Sequence, residues 1–128
     1  MQPNKVVIQL KDGTIAKGQT NDFFPNKPLF HLTTLDGEIE EFKTEELKAI
    51  FFVKDCNGDK SHEYSYTDTV AGGGRKIKVD FADGEQMIGY TQGYSPDRVG
   101  FFLIPADLKG NNEKVFVVKS ATKKIQFL

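Results

Sequence analysis

The chain has 128 residues, enough for one domain of ordinary size or two very small ones. Its 17 basic and 18 acidic residues leave a net charge of −1, which excludes a basic nucleic-acid tail and an acidic solvating tail. The single cysteine, Cys56, excludes an internal disulfide and a cysteine-based zinc site, and no run of about 18 apolar residues is present to span a membrane as a helix.

The opening residues, Met1-Gln2-Pro3-Asn4-Lys5, lead into a strand pattern with no apolar leader, so a cytoplasmic setting is expected. A first strand is expected over residues 5–10. It ends at Asp12-Gly13, a hairpin turn in which Gly takes positive φ. A second strand follows over residues 14–20, with Gly18 inside it. A third is expected over 29–35, a turn at Asp36-Gly37, and a fourth over 38–43. A short turn at 44–48 leads to a fifth strand at 49–53. The stretch 55–74 reads as a polar linker with an Asn57-Gly58 turn, weak alternation over 63–67 and a Gly72-Gly73-Gly74 hinge. Asp55-Cys56-Asn57-Gly58-Asp59 fails as a calcium loop, because Lys60 and Tyr66 stand where Gly and Glu are needed. Beyond the linker, Ile77, Val79 and Phe81 alternate with polar or small residues, the period of a half-buried strand. Asp83-Gly84 then turns the chain into residues 85–91, with Gly89 inside. Further strands are expected at 101–105, 115–118 and 125–128.

These elements repeat. At an offset of 71, eight of the 28 pairs from Lys5/Lys76 to Leu32/Leu103 are identical, where average composition predicts about two. They include Asp12-Gly13, Gly18, Thr20, Pro25 and Phe30. Four extra residues near Lys109 to Asn112 then move the offset to 75, which aligns Ile50 with Ile125 and Phe52 with Phe127. A glycine repeated inside the second strand marks a bend or a close backbone approach. Phe51-Phe52 and Phe101-Phe102 put neighbouring rings on opposite strand faces, so one of each pair must meet the sister repeat, a second chain or a partner.

Five strands in about 50 residues, a bent second strand and a one-turn link before the last strand resemble the SH3-like small barrel. Asp12-Gly13, Gly18, Phe23 and Asn26 resemble the first motif of its Sm-like branch. The resemblance implies an all-β fold of two tandem five-stranded SH3-like (Sm-like) barrels packed together: residues 1–54, a linker 55–74, and residues 75–128. The phrases Thr20-Asn21-Asp22-Phe23-Phe24-Pro25-Asn26 and Gly89-Tyr90-Thr91-Gln92-Gly93-Tyr94-Ser95-Pro96-Asp97-Arg98 are similar to uncharacterised bacterial domains that accompany PilZ or response-regulator modules. Those domains have no known activity to carry over.

The candidate binding residues lie in the repeated loops: Phe23, Asn26 and Lys27 in one, Tyr94, Asp97 and Arg98 in the other. Each loop offers an aromatic, a polar turn and a cation, a set that can stack a ring and pair a phosphate or carboxylate. A type I turn alone explains Pro25-Asn26 and Pro96-Asp97, and it is the simpler reading, since duplication copies a loop whether or not it binds. It does not explain the cation after each turn or the aromatic before it. The expected function is a non-catalytic binding module, recognising a protein partner or a small anionic ligand in bacterial signalling. An Sm-like RNA or nucleotide binder is the alternative. It is disfavoured because the final strands lack the Arg-Gly pair of Sm proteins, Asp97 replaces the matching Asn in the second copy, and no cationic surplus exists. No cofactor or metal is expected. Neither His31 nor His62 sits in a nucleophile or metal-ligand motif, so the chain is not expected to be an enzyme.

Overall fold

A computed structural model describes residues 4–56, 66–70 and 72–128. The Asn57-Gly58 turn and most of the weak alternation at 63–67 lie outside the described residues. Among the described residues ten strands run in chain order: β1 (Asn4–Leu10), β2 (Ile15–Thr20), β3 (Leu29–Thr34), β4 (Ile39–Lys43), β5 (Leu47–Val53), β6 (Arg75–Phe81), β7 (Gln86–Thr91), β8 (Gly100–Pro105), β9 (Asn112–Val118) and β10 (Thr122–Phe127). Single 3-10 turns, Thr44–Glu46 and Lys119–Ala121, precede β5 and β10. All pairings are antiparallel.

Turn chemistry sets the hairpins. The Gly13 and Gly84 N–H groups donate to the Leu10 and Phe81 carbonyls, and the Asp12 and Asp83 carboxylates accept from the Thr14 and Glu85 N–H groups. Both glycines hold positive φ, 93° and 96°, which closes a three-residue loop with a bulge. Gly18 and Gly89 occupy matching close approaches. A Cβ on Gly18 would lie 2.1 Å from the Thr33 carbonyl oxygen, and one on Gly89 2.3 Å from that of Ile104. That contact brings β2 against β3, and β7 against β8, where each pair shares only two registered positions.

The sheet order is β10-β6-β7-β8-β9-β5-β1-β2-β3-β4. Each half therefore has the same internal order: β5-β1-β2-β3-β4 in the first and β10-β6-β7-β8-β9 in the second. Among the described residues, hydrogen bonding does not close either half. β5 pairs with β9 of the other half, through Ala49↔Val117, Ile50↔Phe116 and Phe51↔Val115. The expected pair of closed five-stranded barrels is instead one open ten-stranded antiparallel sheet. The reason lies in the side chains of β5 and β9. Every residue of β5 is buried, as are the four from Val115 to Val118 in β9, so, Lys48 apart, these stretches are apolar on both faces and belong inside a sheet.

Two cores flank this shared ladder. Ala49, Phe51, Val115 and Val117 join Ile77, Val79, Phe81, Phe101 and Leu103 in one. Ile50, Phe52, Phe116 and Val118 join Val6, Ile8, Phe30, Leu32 and Leu47 in the other. Each half thus completes its core with a strand from its sister, and the adjacent Phe51-Phe52 rings divide between the two cores. A charged clasp reinforces the junction. The buried Lys48 Nζ lies 2.7 Å from Asp83 Oδ2 and 2.9 Å from Glu85 Oε1, and 4.7 Å from the Phe81 ring centroid. Burial alone would lower the Lys48 pKa, but hydrogen bonds and attraction from the two carboxylates outweigh it and raise it. The hydrogen bond from Lys48 correspondingly lowers the Asp83 pKa.

Candidate functional site

The two repeated loops form the turns that their proline and Asn/Asp positions predict. The Lys27 N–H donates to the Phe24 carbonyl at 3.0 Å, and the Arg98 N–H to the Ser95 carbonyl at 3.3 Å. Each loop is then tied to a 3-10 turn of its own half. The Thr44 N–H donates to the Pro28 carbonyl, and its hydroxyl to that of Lys27. In the second half the Lys119 N–H donates to the Val99 carbonyl, and Lys119 Nζ to that of Pro96.

Because β5 and β9 join the halves, the two loops face one another. Pro25, Asn26, Lys27 and Pro28 form one wall of a cleft of about 590 Å³, and Asp97, Arg98, Val99 and Gly100 the other, with Thr44 and Glu45 completing the lining. Four predicted residues, Asn26, Lys27, Asp97 and Arg98, are therefore brought together from positions about 71 residues apart in the chain. Their charges balance: the cations Lys27 and Arg98 stand with the acids Asp97 and Glu45. The same two loops leave apolar groups in solvent, Phe24 at 47%, Leu29 at 39% and Val99 at 41% exposure. Lys27 Nζ sits 4.8 Å from the Phe24 ring centroid.

The other two predicted residues turn inward. Phe23 lies against Phe116, Phe30, Phe52 and Phe102, with ring centroids 5.0 to 6.4 Å apart. Tyr94 packs against Phe101 and Phe127 at 5.2 and 5.3 Å. The exposed ring of the first loop is thus Phe24. No alternation rule separates Phe23 from Phe24 in a loop, so sequence reasoning had no signal for the choice. It also missed Glu45 and Val99, which enter the cleft only because each 3-10 turn folds back on its loop.

A second polar cluster, among residues that do not line the cleft, joins Asp22 of the β2–β3 loop to β3 and β4. His31 Nδ1 is 2.7 Å from Asp22 Oδ2, and Nε2 is 3.4 Å from Glu41 Oε2. Asp22 also accepts from the His31 N–H and the Thr20 hydroxyl. The hydrogen bond to Asp22, aided by the charge of Glu41, raises the His31 pKa despite slight desolvation. The imidazole is half exposed, with a carboxylate at each ring nitrogen. Among the described residues no group of three or more His, Cys, Asp or Glu side chains is placed to hold a metal ion. Nor is any described helix long and apolar enough to cross a membrane.

Comparison with known proteins finds one family along nearly the whole chain: residues 2–128 match a family of unknown function, DUF6982. No curated protein and no solved structure matches.

Proposed function

The chain belongs to the DUF6982 family, and we propose that it is a non-catalytic interaction module whose inter-loop cleft takes an extended protein segment bearing a carboxylate. The observation that carries this reading is the meeting of both repeated turns in one cleft. Lys27 and Arg98 supply two cations for the carboxylate. Asn26, Asp97, Glu45 and Thr44 supply donors and acceptors for a peptide backbone. Phe24, Val99 and the prolines supply an apolar rim, and an exposed apolar patch edged by charge is the usual form of a protein contact. A nucleic acid is served less well, because Asp97 and Glu45 cancel the cations that phosphates require. The proposed setting is bacterial signalling in the cytoplasm, each half acting as an SH3-like unit. The shared strand order of the halves supports that unit assignment. His31 supports no catalytic role, since a carboxylate occupies each ring nitrogen in an open position.

The test is capture of partners from lysate by the tagged protein, with and without ribonuclease, beside a Lys27→Glu/Arg98→Glu variant. Proteins that survive ribonuclease and are lost by the variant are the expected result. RNA that is recovered from the wild type and lost by the variant would replace this reading with the Sm-like one. Partners indifferent to the variant would leave the loops as turns only.

A further inference from the structure

Among the described residues, the repeat that builds the chain leaves two strand edges open, β4 at one end of the sheet and β10 at the other. Superposing the repeats by their offsets makes β10 the counterpart of β5, and β4 the counterpart of β9. The registers agree, since Phe30↔Phe42 and His31↔Glu41 match Phe101↔Val117 and Phe102↔Phe116. The two free edges are therefore the same two edges that join within the chain. We infer that β10 of one molecule pairs antiparallel with β4 of the next, in the register of the β5–β9 ladder, so that the protein assembles head to tail with copies of itself.

Carrying that register over sets Lys124 opposite Phe42 of the next copy, Gln126 opposite Glu40 and Phe127 opposite Ile39. Three features of the free edges fit this pairing. The first is charge. β4 carries exposed Glu40 and Glu41, while β10 carries exposed Lys123 and Lys124. Two β4 edges, or two β10 edges, repel each other, whereas β4 and β10 attract; Lys124 stands diagonal to Glu40 on one face. The second is the clasp. In the internal junction Lys48 grips Asp83 at 2.7 Å. Their repeat counterparts are Lys123 and Asp12, both exposed, so the same clasp is available between molecules. The third is the aromatic knot. Phe23, Phe52, Phe102 and Phe116 cluster across the internal junction. Their counterparts are Tyr94 and Phe127 beside β10, and His31 on β3 and Glu41 on β4 of the next copy. A cleft of about 650 Å³ lies open beside Tyr94 and Phe127, where the next copy would seat. Ile39, 71% exposed here, would be covered against Phe127.

The internal ladder is apolar and the external one is charged, so the external contact is the weaker and the more salt-sensitive. The pairing is heterologous: it closes into a ring if the rotation per copy permits and otherwise extends as a filament.

Sedimentation of the full chain tests this. At low salt and rising concentration the average mass should climb above 14.4 kDa, and high salt should return it there. Glu40→Lys and Lys124→Glu change exposed side chains, and each alone should weaken assembly roughly tenfold. Mixing the two variants should restore it, because each reversed edge then meets its complement. Recovery on mixing also shows that both variants are folded. A mass fixed at 14.4 kDa for the wild type at every concentration and salt would overturn the proposal. So would assembly that neither variant changes, or that mixing does not recover.

Discussion

Phe116→Ala tests whether the two halves share their cores. Phe116 belongs by sequence to the second half, yet it is 1% exposed inside the core of the first. Its ring meets Phe23 at 5.0 Å and Phe102 at 5.2 Å. Phe102 is fixed on β8, and Phe23 is held in the same core by Phe30 of β3 and Phe52 of β5, so the rings cannot collapse far into the void. Truncation should therefore cost about 4 kcal/mol, within the range for buried Phe. A domain of this size loses roughly 3–4 °C per kcal/mol, so the melting temperature should fall by about 15 °C. The assay is urea unfolding by circular dichroism, with amide exchange at Val6 and Val79 reporting each half. Both amides should lose protection together, in one transition of unchanged denaturant slope. Two separate transitions, with Val6 unaffected, would show the halves to be independent and would refute the shared core.

Other substitutions probe single contacts. Gly89→Ala should destabilise the fold by roughly 2 kcal/mol or more, because its Cβ would meet the Ile104 carbonyl oxygen and Leu103 Cδ2; a thermal melt like the wild type's would show that β7 and β8 do not approach closely. Lys48→Met should cost about 1–2 kcal/mol near neutral pH, discounted because Asp83 and Glu85 are half exposed. Since Asp83 is held below its ordinary pKa, its contribution is present above the unfolded value near 3.8 and lost as pH falls through the folded one; acid unfolding of the variant should lack that loss. His31 should titrate by NMR above its ordinary 6.5, and Asp22→Asn should bring it down. The extra stabilisation that protonated His31 draws from ionised Asp22 is fully present below pH 6.5, while Asp22 stays ionised, and is lost as pH rises through the folded His31 pKa; an unchanged titration in Asp22→Asn would remove Asp22 as the cause.

Local turn chemistry made much of the fold legible. Asp12-Gly13, Asp83-Gly84, Pro25-Asn26 and Pro96-Asp97 place their turns through backbone and near-neighbour bonds alone, and Gly18 and Gly89 mark the close approaches. Strand ends were less legible: β5 begins two residues before the expected Ala49, and β9 three before the expected Val115. The larger departure, an open shared sheet in place of two barrels, comes from long-range pairing. Its trace was present in the unbroken apolar runs Ala49-Ile50-Phe51-Phe52-Val53 and Val115-Phe116-Val117-Val118. Such runs mark strands buried on both faces, whereas Glu38 to Lys43 and Thr122 to Phe127 are too polar for a sheet interior. In the loops, repetition pointed to the polar residues that now share a cleft. The inward turn of Phe23 and Tyr94 depends on cores built from distant strands, so no local pattern could show it.

The central claim is that the two turns act as one site, and single charge reversals test it most directly. Lys27→Glu and Arg98→Glu, prepared separately, should keep wild-type stability within about 0.5 kcal/mol, since both residues lie on the exposed surface. Each should then lose the same set of ribonuclease-resistant partners in quantitative capture from lysate. Different losses for the two variants, or none for either, would contradict a single cleft shared by both repeats.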